Sequence, residues 1–201
     1  MCLDLSGLLL RPTNGENGRI ILCENTNSHE EQIAYEGLKE GATQNFIRWE
    51  YSPRVGSGDW ADCVLKIDET LIPSWLDQEQ RDRLEADAAA WVKSRTITQD
   101  QSAVLGGTWI VVGKVAIKYG NRCRFLVSKG AELVLGDIRG EVAFGHVYGT
   151  VTTGCVYGTV TTGTTTLSGT VTTGYVSGTG SVKTGDVSGT GSVKSSKKVQ
   201  P

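Results

Sequence analysis

Histidine, methionine, phenylalanine and proline are scarce in this sequence, with two, one, three and four residues in 201. Only His29 and His146 could supply imidazole. The five cysteines (Cys2, Cys23, Cys63, Cys123 and Cys155) are far apart and form no CxxC pair. Zinc sites need close-spaced Cys and His ligands, so no metal site is expected. There is no GxxxxGK[ST], and no GxGxxG between a strand and a helix, so no phosphate-cradling loop and no nucleotide cofactor are expected. Charge of one sign is also missing: 20 Lys+Arg against 22 Asp+Glu leave a net charge of −2. Such a balance offers no dense basic face for nucleic acid and no acidic run of a duplex mimic. Asp4 interrupts the apolar opening MCLDLSGLLLRP, which carries no basic leader. It reads as neither a signal peptide nor a membrane span. Together with unpaired cysteines, this points to a reduced setting, the cytoplasm of a host cell or a virion, and to no membrane partner.

What the chain does have is a degenerate repeat. From Gly136 it runs GDIRGEVAF, GHVYGTVTT, GCVYGTVTT, GTTTLSGTVTT, GYVSGTGSVKT, GDVSGTGSVKS. Short self-similar units are the mark of stacked β-structure, because no unit can bury its apolar face alone. Across Val147–Thr152 the alternation is strict: Val147, Gly149 and Val151 share one side, Tyr148, Thr150 and Thr152 the other. Thr-Thr-Gly then breaks the strand, and Gly suits a corner of positive φ. Each nine-residue unit is one strand plus one corner, so two make a two-sided coil. The units lengthen to eleven from Gly163, which demands a wider corner or a bulge. A parallel solenoid is the reading; an antiparallel meander and an intertwined β-fibre share its period-two pattern. The stronger runs Gly106–Gly120 and Arg122–Leu135 supply its first coils, with Trp109, Ile110, Val112, Val115, Ile117, Phe125, Val127, Leu133 and Leu135 in the core.

Residues 1–98 read as an α+β capping domain, 99–195 as the repeat domain and 196–201 as a flexible tail. Short β-type runs fall at Arg19–Cys23, Phe46–Tyr51 and Cys63–Ile67, and His29–Lys39 has helical character. A clearer helix follows Pro73. There Asp77 caps the chain with Gln80 three residues on, Leu84, Ala88, Trp91 and Val92 form one stripe, and the helix stops near Arg95. Turn residues gather at Pro12–Gly18 and Pro53–Asp59.

Candidate binding residues are the outward positions Tyr148, Thr150, Thr152, Tyr157, Thr159, Thr161, Thr170 and Thr172. Trp49 and Trp60 are candidate hot spots on N-terminal loops. Threonines spaced about 7 Å along a strand and about 4.8 Å between strands form a lattice of the kind an ice-binding face uses. Threonine also suits the wet side of any strand. Two small clusters resemble acid–base or nucleophile sets: His29 with Glu30 and Glu31, and Cys63 with Asp62 and Asp68. The plainer expectation is an exposed helix start at His29–Glu31 and a buried Cys63, with no catalytic residues.

The stretch ADCVLKIDET, then IPSWLDQEQRDRLEADAAAWVKSR, then irregular strands and a Gly/Val/Thr repeat, resembles a loose group of uncharacterised actinobacterial phage and prophage proteins. The similarity covers Asp59 to Lys194 and is most specific at Asp62–Ile67 and Pro73–Trp75. The repeat is also similar, more weakly, to bactofilins, which are polymerising β-helices. Neither resemblance implies a catalytic residue or cofactor. What they imply is a non-enzymatic structural, assembly or protein-binding component of a phage or mobile element. Its expected partners are itself, as a dimer or trimer through the repeat, and a host or virion protein. The alternatives are an inhibitor of a host defence complex and an ice-binding or bactofilin-like polymer.

Overall fold

A computed structural model of the chain describes residues 5–13, 17–23, 28–39, 45–162, 165–166, 170–175, 181–184, 187–188 and 192–196. Of the expected tail 196–201, Ser196 belongs to a strand and the rest lies outside them, as does Cys2. The chain divides into two compact units, Met1–Arg54 with Ala61–Ser94, and Val55–Trp60 with Arg95–Pro201.

The first unit is α+β. Its strands are β1 (Ser6–Leu10), β2 (Ile20–Leu22), β3 (Phe46–Pro53) and β4 (Cys63–Ile67), in the antiparallel order β2-β1-β3-β4. The opening apolar run, too short for a membrane, is therefore an inner strand of this sheet. Leu8 and Leu9 are both buried, so both faces of β1 are covered. Helix α1 (His29–Tyr35) is capped by Ser28, whose hydroxyl accepts the Glu31 amide. It is shorter than the sequence suggests, because Gly37 takes a left-handed φ of 67°. Such a residue ends a helix at low cost. The chain then returns, and Leu38 packs on the cluster of Leu8, Ile21, Ile33 and Phe46. On the other sheet face Gly7 sits opposite Trp49 in register. A Cβ at Gly7 would strike the indole, so the missing side chain makes room for the ring.

Helix α2 (Gln78–Arg95) begins as its sequence requires, with the Asp77 carboxylate accepting the Gln80 amide at 2.9 Å. Such a cap is worth about 1 kcal/mol. Leu84, Ala88 and Val92 form its buried stripe, while Trp91 is half-buried.

The second unit is a parallel β-solenoid. In chain order its strands are β5 (Thr96–Ile97), β6 (Val104–Leu105), β7 (Thr108–Val111), β8 (Lys114–Ile117), β9 (Gly120–Asn121), β10 (Cys123–Val127), β11 (Glu132–Leu135), β12 (Glu141–Val147), β13 (Thr150–Thr153), β14 (Thr159–Thr162), β15 (Thr165–Thr166), β16 (Thr170–Tyr175), β17 (Ser181–Thr184), β18 (Val187–Ser188) and β19 (Ser192–Ser196). One broad sheet has the order β17-β14-β12-β10-β7-β5, the other β19-β16-β13-β11-β8. All described pairings in this unit are parallel, so the meander and the intertwined fibre give way to a coil closed within one chain.

The register follows the repeat arithmetic. Val115, Leu133 and Val151 stand one above another, two nine-residue units apart each time. Val171 and Val193 are two eleven-residue units apart. Two of the four residues added per coil enter on the passage from the first broad sheet to the second, where β15 and β18 form a short parallel pair of their own, and two between the starts of β16 and β17. The coil is not two-sided, however. A short third side runs through the β6–β9 pair and the Ile138–Val156 bridge. The connection back to the first sheet is long enough to form one further rung.

Phe125, Phe144, Val147, Val151, Val156, Val160 and Val171 fill the interior, each at most 1 % exposed. The glycine after Thr152-Thr153 has a different reason from the one the sequence suggests. Gly154 has no positive φ; a Cβ there would crowd the Asp137 carboxylate of the preceding coil. Gly149 likewise lies directly on the Ala131 carbonyl. Close approach of coils, rather than unusual φ, selects glycine at these corners.

The interior thus hangs on single valines. Val151→Asp or Val160→Asp puts an unpaired charge at a fully buried position and costs more than about 3 kcal/mol. Thr152→Ala, on the wet side, stays within about 0.5 kcal/mol. Thermal melts followed by circular dichroism check both; an unchanged melt for Val151→Asp contradicts the inward assignment.

Candidate functional site

Three places concentrate polar side chains. The first is the outer surface of the solenoid. Thr150 and Thr152 lie in β13 and pair with Thr170 and Thr172 of β16. Thr159 and Thr161 lie in β14, on the other broad sheet, between Glu141 and Ala143 on one side and Ser181 and Lys183 on the other. Two units make one coil, so consecutive TVT triplets alternate between sheets. The single flat lattice expected from the sequence is therefore split, and the larger piece is two rungs of two threonines.

Tyr157 is elsewhere again, on the third side. It is 45 % exposed, with the Arg139 guanidinium 5.8 Å from its ring centre. The neighbouring Cys155 and then the Asp137 carboxylate push its hydroxyl above the usual range. Asp137 also accepts the Cys155 amide at 2.9 Å. Tyr148 stacks on His146, ring centres 6.0 Å apart, and is half-buried. A shallow groove of about 340 Å³ gathers Tyr148 with Glu132, Thr150 and Thr170. The eight outward candidates thus occupy three sides and a corner. Tyr148, Thr150 and Thr170 share a concavity.

The second place is the segment Val55–Trp60, which the contacts assign to the solenoid unit. Gly58 accepts the Lys129 amide at 2.9 Å. The Ser128 hydroxyl accepts the Trp60 amide at 3.1 Å and donates to Asp59 at 3.0 Å. Gly58 has a left-handed φ and faces the Tyr148 ring where a Cβ would be. The two tryptophan hot spots are corrected here. Trp49 belongs to strand β3 rather than a loop and is fully buried, and Trp60 is 2 % exposed. Their size, which suggested anchors for a partner, is spent on cores.

The third place is a charged group on one face of the antiparallel sheet. His29 is buried, not an exposed helix start; Glu30 and Glu31 point into solvent. Nε2 of His29 lies 3.3 Å from the Trp49 carbonyl, and Nδ1 lies 3.7 Å from an Asp68 oxygen. A carbonyl can only accept, so the ring proton belongs on Nε2. Burial pushes the imidazole below its usual range, against the opposing pull of the Trp49 carbonyl, Asp68 and Glu50. Next to it Arg48 forks onto Glu69 at 3.0 and 3.1 Å, with its amide on the same carboxylate at 2.9 Å. Glu50 is buried with Lys66 at 3.9 Å.

The second suspected cluster is divided. Asp62 pairs with Arg54 at 3.2 Å, Asp68 turns to His29, and Cys63 is half-buried. Asp68 was legible as a site residue. His29 was legible too, but in a separate cluster; their pairing was not, because the two are distant in sequence and nothing in their spacing joins them. Among the described residues no three His, Cys, Asp or Glu side chains are grouped to hold a metal ion. Burial raises the Cys123 thiol to about 11, so it behaves as an apolar filler. No described helix is long and apolar enough to cross a membrane.

A parallel β-solenoid joined to an α+β unit is the class this fold defines. No family model, curated protein or solved structure matches the chain.

Acid should loosen this arrangement through its histidines. His29 and His146 both have folded pKa values lowered by burial. The unfolded chain takes up their protons near pH 6.5. The stability they contribute is full above that pH. It falls as pH drops from about 6.5 toward the folded values, by at most about 1.4 kcal/mol per group and pH unit. Urea midpoints between pH 7.5 and 5.5 check this. His29→Gln, which can still donate to Trp49, should flatten the slope by one histidine's share.

Proposed function

We propose that this chain is a non-enzymatic structural or assembly protein that associates with itself through its solenoid. The observation carrying this reading is the pair of broad parallel sheets that, among the described residues, end in edge strands rather than in a closed barrel. An uncovered sheet edge presents main-chain donors and acceptors to another chain. Among the described residues the later coils contribute few buried apolar side chains, such as Val160 and Val171. At about 25 cal/mol per Å² so little burial falls short of an ordering cost of about 1–2 kcal/mol per residue. Contact with further copies adds the missing buried area.

The chemistry of the polar groups agrees with a non-catalytic role. The buried imidazole spends Nε2 on a main-chain carbonyl and turns Nδ1 toward a carboxylate, which leaves it no nitrogen aimed at a substrate. The phage or mobile-element origin remains part of this proposal on the residues that carry the resemblance, Asp62–Ile67 and Pro73–Trp75. A virion assembly is the setting that suits a self-stacking module.

Sedimentation velocity from one to tens of micromolar tests the reading on the full chain and on a version stopped at Gly163. The full chain is expected to associate with rising concentration, and the shortened one to do so less. A full chain that stays monomeric at tens of micromolar overturns the proposal.

A further inference from the structure

The second broad sheet is a set of register columns, and one column has opposite charges at its two ends. Gln101 bridges to Ile117, with its amide on the Ala116 carbonyl at 2.9 Å and its carbonyl taking the Lys118 amide at 3.1 Å. Asp100 is therefore opposite Ala116, and its carboxylate accepts the Ala116 amide at 2.7 Å. From Ala116 the column continues through Val134, Thr152 and Thr172 to Lys194. It begins on an aspartate and ends on a lysine. In the next column Gln101, Ile117, Leu135 and Thr153 are successive partners at one end, and Thr173 pairs with Ser195 at the other.

Alternate residues of a parallel strand bond to alternate neighbours. Gln101, an isolated bridge, spends its main-chain groups on β8, so continued parallel pairing beyond it would use those of Asp100 and Ser102. Beside it lies a cavity of about 290 Å³ lined in part by Ile97, Gln101, Val104, Leu105 and Trp109, of which Leu105 is 65 % exposed. Asp100 is the one charged residue between Thr96 and Gly107, whereas the chain from Gly145 onward has four lysines to the single acid Asp186.

We propose that copies of this chain stack head to tail, the β19 edge of one solenoid continuing onto the first coil of the next. This mode rests on the self-association argued above and specifies it. Parallel pairing then persists across the junction, as between all described coils. Lys194 comes one strand spacing, about 4.8 Å, from Asp100 of the following copy, and Ser195 meets Gln101. The sheet already contains such a pair two columns over, where Lys114 and Glu132 are register partners with a 3.0 Å ion pair. Head-to-head stacking would instead set Asp100 against Asp100, and tail-to-tail Lys194 against Lys194. A junction between unlike ends does not close, so growth is open-ended.

Sedimentation velocity and negative-stain microscopy of the full chain at low salt test this. Asp100→Asn keeps an oxygen for the Ala116 amide and removes only the charge. It should raise the concentration for half-assembly about two- to fivefold. Lys194→Glu sets like charges together and should raise it tenfold or more, with circular dichroism melts unchanged in both. Its first coil still accepts a native neighbour, so a minor share of Lys194→Glu chains should shorten native assemblies. Open-ended growth with these responses supports the proposal. A closed dimer indifferent to both substitutions overturns head-to-tail stacking while leaving self-association standing. A chain monomeric at all concentrations overturns both.

Discussion

The solenoid depends on each coil exchanging main-chain amides and carbonyls with the coils before and after it. Where the main chain turns too sharply to do so, side chains stand in. Asp100 accepts from Ala116, Asn121 from Glu141 and Asp137 from Cys155, each acceptor one coil behind its donor. These short polar residues tie successive coils together at the corners. The glycines complete the arrangement. Gly149 and Gly154 let coils meet where even a methyl group would hold them apart.

The antiparallel sheet of the first unit solves a different problem. One of its faces carries apolar residues and ionisable groups together: Leu8 and Phe46 toward α1, then Arg48, Glu50, Lys66 and Asp68 toward the strand ends. Glu50 and Glu69 can be kept under cover there because each has a cation beside it, the forked Arg48–Glu69 contact being the closest in geometry. Breaking one member of such a set leaves its partner buried and unmatched, which costs more than the pair contributes.

Much of this was legible in the residues. The alternation at Val147–Thr152 identified the inward valines, the unit length gave the coil length, and Asp77 with Gln80 marked the start of α2. Other features needed the third dimension. The strand β1 was hidden because a five-residue apolar segment fits several roles, and only its pairing with β2 and β3 selects one. The third side of the coil has one or two residues per turn, too few to leave a period. Trp49 and Trp60 suggested exposure because of nearby turn residues, but large rings are usually placed where they displace the most water. His29 could not be tied to Asp68, since the contact depends on how a helix lies on a sheet.

The alternation of units between two sheets has a consequence for how such a chain can change length. Repetitive coding sequence gains and loses copies readily. Removing or adding two units takes out or inserts a whole coil and leaves all later strands on the sheet they occupied. A single unit would transfer all that follows to the opposite sheet, carrying the turn of β15 and β18 to a corner where the third side already lies. Lengths in this lineage should therefore differ by even numbers of units, a parity imposed by geometry and visible in any set of sequences.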